Sequence, residues 1–214
     1  MSEQEWDERY ASSERMWSGR PNPALVAEVA DLAAGTVLDV GCGEGADAVW
    51  LAQRGWTVTG LDISGVALDR ARAWAAEQGV EATWVKSGLL EADLAPGSFD
   101  LVAVLYPPLP RTEDATFERA LADLVAPGGH LLVVHHAPPR EGEVHHGPGH
   151  GHHGDDSGES HRPDFAAMVA PASVLPVLGD GWAVETDAVR ERSVEGGAGA
   201  HHLEDLVLRA RRVG

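Results

Sequence analysis

Two aspartates and a run of glycines carry the clearest chemistry in this chain. The apolar stretch Val37-Leu38-Asp39-Val40 leads straight into Gly41-Cys42-Gly43-Glu44-Gly45, and a helical pattern starts at Ala46. Glycines at alternate positions let the backbone turn tightly and bring main-chain N–H groups up to a ligand at a helix N-terminus. Asp62 follows about 20 residues on, where a carboxylate suits a ribose diol. A second set of candidates is spread further along. Tyr106 precedes Pro107-Pro108, and His135 and His136 end an apolar run. Neighbouring strand residues point to opposite sides, so at most one of that histidine pair faces a given pocket. Either histidine, or Tyr106, is a candidate for proton transfer or for positioning an acceptor. Arg111 is a candidate for a carboxylate, or a surface cation.

These residues need a scaffold, and the periodicity supplies one. Helices are expected over 3–17, 23–33, 45–53, 65–78 and 113–125, with a short one near 172–179 weakened by Pro176. Strands are expected over 36–40, 57–61, 81–86, 99–106, 130–136, 183–189 and 203–210. Strands alternating with helices imply right-handed crossovers and a parallel sheet. The last two strands lack a crossover helix and should pair antiparallel. The expected architecture is therefore an α/β, Rossmann-like, doubly wound seven-stranded sheet, mostly parallel with an antiparallel C-terminal strand. One domain over 1–214 divides into N-terminal helices (1–33), a cofactor-binding core (34–136), a histidine- and glycine-rich loop (137–163) and a C-terminal helix with a strand pair (164–214). Trp6, Tyr10 and Trp17 on the first helix suit either packing at the domain edge or a lid.

Composition narrows the partners. The chain has 214 residues and a formal net charge of −18, which repels nucleic acid and anionic membrane. One cysteine, Cys42, allows no disulfide within the chain, and no signal-peptide core or membrane-spanning run is visible. The expectation is a cytoplasmic protein, monomer or homodimer, that acts on a small molecule and binds neither nucleic acid nor membrane. Cys42, small and set between glycines, reads as a packing residue rather than a nucleophile. The 137–163 segment holds His145, His146, His150, His152, His153 and His161. Imidazoles suit nickel, zinc or copper, yet no rigid spacing defines a geometry. A mobile cover over the acceptor pocket is the other use for so long a loop.

The glycine loop alone leaves the ligand open. Gly41-x-Gly43-x-x-Ala46 also satisfies the dinucleotide fingerprint. Three features point elsewhere. Asp39 would crowd a pyrophosphate but suits a cationic ligand. The chain after residue 136 does not continue as βαβ. Phe99-Asp100-Leu101-Val102 and Ala126-Pro127-Gly128-Gly129 flank the fourth and fifth strands.

With Val37 to Gly45, Gly60-Leu61-Asp62-Ile63-Ser64 and Leu124 to Gly129, these segments resemble the class I S-adenosylmethionine-dependent methyltransferases over about residues 36–135. Trp17, Pro21 and Asn22 look like the small-molecule subgroup that includes tellurite-resistance and thiopurine methyltransferases. The resemblance implies S-adenosylmethionine as cofactor. It places Gly41, Cys42, Gly43 and Gly45 along the methionine part, Asp39 at the ammonium group directly or through water, Asp62 on the ribose hydroxyls and Ile63 against the adenine. Many members carry an Asp after the third strand; here Gly88 stands in its place. Adenine recognition would then use the Leu89 N–H, with Ser87 or Asp93 as substitutes. The mismatch of Tyr106-Pro107-Pro108-Leu109 with the motif of nucleic-acid amino methyltransferases argues against DNA or RNA. The implied function is methyl transfer to a small-molecule acceptor. The alternative is a non-catalytic, metal-responsive sensor built on a methyltransferase-like domain.

Overall fold

The strands form where β-branched and aliphatic residues run together between glycine turns. In the computed structural model, which describes residues 1–138, 167–192 and 202–214, seven of them join in one sheet. In chain order they are β1 (Thr36–Val40), β2 (Thr57–Asp62), β3 (Thr83–Lys86), β4 (Phe99–Leu105), β5 (Val125–His136), β6 (Trp182–Glu191) and β7 (Glu204–Arg212). Their spatial order is β3-β2-β1-β4-β5-β7-β6. The pairs from β3 to β5 are parallel. β7 pairs antiparallel with both β5 and β6. The order reverses between β1 and β4, and the crevice beyond the carboxyl ends of those strands is where such sheets bind ligands.

Both faces of the sheet are covered, and the alternation of each strand sorts its residues between them. Leu38, Val40, Val102, Val104, Leu131 and Val133 face one core, where Leu121, Leu124 and Val174 pack on them. Val37, Leu101, Ala103, Leu132, Val134 and Val207 face the other, under Leu25, Ala48 and Leu51. The helices that supply these covers are α2 (Pro23–Glu28), α3 (Ala46–Ala52), α5 (Thr116–Leu124) and α6 (Pro171–Val174). The remaining two, α1 (Glu3–Ala11) and α4 (Gly65–Glu77), pack against each other.

Several boundaries differ from the sequence reading. α1 stops at Ala11, where Ser12 caps its C-terminus, and the chain to Asn22 is a loop rather than helix. α2 ends at Glu28, whose side chain is drawn into the fold: it is 2% exposed, accepts from Thr186 and Arg190 and lies 3.6 Å from Arg209 Nε. α5 starts at Thr116, after a turn. β5 begins at Val125, which pairs with Phe99 ahead of the irregular Pro127-Gly128-Gly129 stretch. The expected helix near 172–179 is a single α-turn, α6, continued by a 3₁₀ turn over Leu175–Val177 that contains Pro176. Residues 139–166, most of the expected 137–163 loop, lie outside the described residues.

Candidate active site

One cavity of about 430 Å³ opens where the carboxyl ends of β1, β2, β4 and β5 meet, within the usual range of about 300–1,000 Å³ for small-molecule sites. Its lining joins the glycine loop to Asp62, Ile63, Ser87, Gly88 and Leu89, and then to Tyr106, Leu109, Phe117 and His136.

The loop is built for close approach. Gly41 and Cys42 both donate their N–H to the Leu61 carbonyl, at 2.7 and 3.1 Å, which ties the loop to β2. Gly45 sits at φ 83°, and a Cβ there would lie 2.8 Å from that of Ala71 and 3.1 Å from the Trp84 ring. Only glycine meets both demands. Cys42 packs onto Gly60, where an added Cβ would meet its Sγ at 2.9 Å. Burial pushes the thiol well above its ordinary range, which supports the packing role.

Asp62 is fixed by its neighbours. One carboxylate oxygen accepts the Gly43 N–H and the other the Ser64 N–H, both at 2.8 Å. Each oxygen keeps a lone pair for a ligand hydroxyl, the arrangement a vicinal diol requires. Burial raises its carboxyl, and the two N–H donors oppose that rise. Ser87 also lines the cavity, whereas Asp93 is not among the described lining residues.

The acidic end brings a second carboxylate beside Asp39. Asp39 is 3% exposed, and its Oδ2 has no hydrogen-bond partner among the described residues. It is not among the described lining residues, whereas Asp47 is. Burial, then Asp47 and Asp62, push Asp39 well above the usual carboxylate range. Burial lifts Asp47 to about 6, opposed by the Asn22 N–H that it accepts at 2.6 Å. Three carboxylates crowded at low dielectric invite a cation. An ammonium group would suit Asp47 first, with Asp39 adding its field from behind.

The N-terminal segment roofs this part of the cavity. Trp6, Tyr10, Trp17 and residues 18–23 line it. Glu44 holds the segment down. It is buried, it accepts the backbone N–H groups of Met16 and Trp17, each at 3.1 Å, and it pairs with Arg70 at 2.8 Å. Trp17 donates its indole N–H to Tyr10 Oη at 3.0 Å. At the helix N-terminus of α4, Asp7 accepts from Ser64 at 2.6 Å.

At the far end, Tyr106 takes φ 52°, a conformation that costs a non-glycine residue about 1–3 kcal/mol and recurs at functional sites. Its hydroxyl accepts from Asn22 Nδ2 at 2.8 Å and Arg192 Nε at 3.1 Å, and donates to Asp205 at 2.7 Å. The His136 ring is stacked between those of Tyr106 and His202, with centroids 4.0 and 3.7 Å away. His136 lines the cavity. His135 instead places Nδ1 at 3.2 Å from the His136 carbonyl and is not among the described lining residues, as strand alternation requires. Arg111 is not among them either.

Sequence reasoning missed the places of Asn22, Glu44, Asp47, Arg192 and Asp205. The signal for Asp205 was an acid, next to Glu204, opening a mostly apolar strand pattern; for Asn22 it was a capping residue before Pro23. The metal candidates His145, His146, His150, His152 and His153 lie outside the described residues. Among the described residues, no group of three or more His, Cys, Asp and Glu side chains could hold a metal ion, and no helix is long and apolar enough to cross a membrane.

The topology is that of the class I methyltransferase fold, and the dinucleotide-binding reading is set aside by the antiparallel β5-β7-β6 end. Residues 37–129 match the family described as "Methyltransferase domain", whose cofactor is S-adenosylmethionine. Ubiquinone biosynthesis O-methyltransferase of Serratia proteamaculans is 37% identical over 118 residues, 53% of this chain and 49% of that protein. The 2-heptyl-1-hydroxyquinolin-4(1H)-one methyltransferase of Mycobacteroides abscessus is 31% identical over 55% of this chain and 54% of its own. The chain spans about half the length of the curated relatives it matches. The N-methyltransferase NodS of Bradyrhizobium japonicum WM9, solved with S-adenosylhomocysteine, superimposes over the full length of both chains with a TM-score of 0.69 at 18% identity.

Proposed function

We propose that this chain transfers a methyl group from S-adenosylmethionine to a small-molecule acceptor. One observation carries the proposal: a single cavity joins a diol-ready Asp62, a glycine loop and an acidic, cation-seeking end to a mostly apolar wall of Leu105, Pro107, Pro108, Leu109 and Phe117. Bound S-adenosylmethionine supplies a methyl group already activated by its sulfonium. The chain's own residues then have three tasks. Asp62 and the Gly41–Gly43 backbone hold the cofactor, with Asp47 and Asp39 matching its positive charge. Trp6, Tyr10 and Trp17, pinned by Glu44, keep water out. Leu105, Pro107, Pro108, Leu109 and Phe117 orient the acceptor, so that most of the rate advantage comes from alignment.

One relative is named an O-methyltransferase and another for a hydroxyquinolinone, which favours an oxygen acceptor here, while NodS is named an N-methyltransferase. The closer likeness to the tellurite-resistance and thiopurine enzymes rests on Trp17, Pro21 and Asn22, all of which line the cavity. Nothing among the described residues favours the metal-responsive sensor. The test is formation of S-adenosylhomocysteine from S-adenosylmethionine over a set of small hydroxyl and amine acceptors. Product above background supports the proposal, and a folded protein that does not bind the cofactor refutes it.

A further inference from the structure

We propose that Glu91 reads the amino group of the cofactor's purine, through a carboxylate that fills the space a side chain at position 88 would need. The inference rests on the methyltransferase reading and deepens it by naming a specificity-determining residue.

The backbone sets where the purine goes. Asp62 ends β2 and pairs in register with Lys86 at the end of β3, and the Ser87 N–H donates to the Asp62 carbonyl at 3.1 Å. Neighbouring strands lie about 4.8 Å apart, so the turn after β3 stands beside a ribose held by Asp62. The cavity wall there is Ile63 with Ser87, Gly88, Leu89 and Glu91. The Ala92 N–H donates to the Gly88 carbonyl at 3.1 Å and closes one turn over residues 88–92. Residues three apart on such a turn share a side. Glu91 accordingly folds back over Gly88, where an added Cβ would collide with Glu91 Oε2. Glycine at position 88 leaves the room that this carboxylate takes.

The chemistry of that wall selects one base edge. The Glu91 carboxylate makes no hydrogen bond or ion pair with the described residues, and it can only accept. Leu89, on the same turn, has an N–H with no acceptor among them. An acceptor beside a donor complements adenine, whose 6-amino group lies next to the lone pair of N1. A 6-oxopurine reverses both contacts: its carbonyl would face the carboxylate, and its N1–H would face the Leu89 N–H. Ser87 tolerates either base, because a hydroxyl donates and accepts, and Asp93 is not among the described lining residues. Discrimination at position 6 therefore falls to Glu91. The residue is exposed, so water screens its charge and holds its contribution to about tenfold.

The test is titration calorimetry of the whole chain with S-adenosylhomocysteine and with S-inosylhomocysteine, its 6-oxo counterpart. The wild-type chain should bind the first about 100-fold tighter, about tenfold from each reversed contact. Glu91→Gln should lower that preference about tenfold, because an amide can turn either its oxygen or its NH₂ to position 6. Gly88→Ala should lower it as much by displacing the carboxylate, and should add nothing in the Glu91→Ala background. Glu91→Gln, a change at an exposed site, decides the matter by itself should Gly88→Ala not fold. An unaltered preference in either single variant, or a Gly88→Ala effect that persists without Glu91, overturns the proposal. If S-adenosylhomocysteine binds while these fail, the methyltransferase reading stands and the Glu91 assignment alone falls; binding of neither ligand overturns both.

Discussion

Asp47→Asn is expected to stabilise the cofactor-free protein while weakening its hold on the cofactor. Asp47 lies in the first turn of α3 with its carboxyl lifted by burial from 3.8 to about 6, beside the still more buried Asp39. A carboxyl that binds its proton more tightly when folded than when unfolded favours folding at low pH. That contribution is lost as pH rises from 3.8 through about 6. A rise of two units corresponds to about 3 kcal/mol of instability at neutral pH. Asparagine keeps an oxygen for the Asn22 N–H but gives up the charge-assisted form of that bond, a loss of about 1 kcal/mol. The net gain should be about 1–2 kcal/mol at pH 7.5, shrinking towards zero or below as pH falls to about 4. Urea unfolding of both proteins across that range, without cofactor, measures it. Saturation with S-adenosylhomocysteine should erase the gain, because its ammonium offsets the wild-type charge. A variant no more stable than wild type at pH 7.5, by a margin independent of pH, would refute the reasoning.

Glu44→Ala should cost about 3 kcal/mol, since it strands Arg70 and two backbone N–H groups, and limited proteolysis should then cut between Ala11 and Pro21, where the wild-type chain resists. Gly45→Ala should cost about 2 kcal/mol or more from the left-handed backbone and the contact with Ala71, seen as a fall of several degrees in Tm.

The legible parts of the fold were those set by local pattern. Val37–Val40 and Leu131–Val134 announce buried strands by their unbroken apolar runs, and the missing crossover after β6 announced the antiparallel end. The glycine loop and Asp62 were legible because a strand–turn–helix backbone and an acid closing the next strand leave a fixed spacing. What was not legible depends on contacts far apart in sequence. α1 ends early because Glu44, over thirty residues beyond its last turn, holds the following loop. The Tyr106–Asp205 bond joins positions 99 residues apart, and nothing near either residue signals the other. Asp47 lines the cavity for the same reason: the docking of α3 brings it there, and no spacing records it.

The central claim is that Asp62 and the glycine loop hold S-adenosylmethionine, and titration calorimetry with S-adenosylhomocysteine tests it most directly. One site per chain is expected, with Asp62→Ala weakening binding by about 10–100-fold, the loss of one or two charge-assisted hydrogen bonds to the ribose. No heat of binding to the folded wild-type chain, or an affinity unchanged in Asp62→Ala, would contradict it.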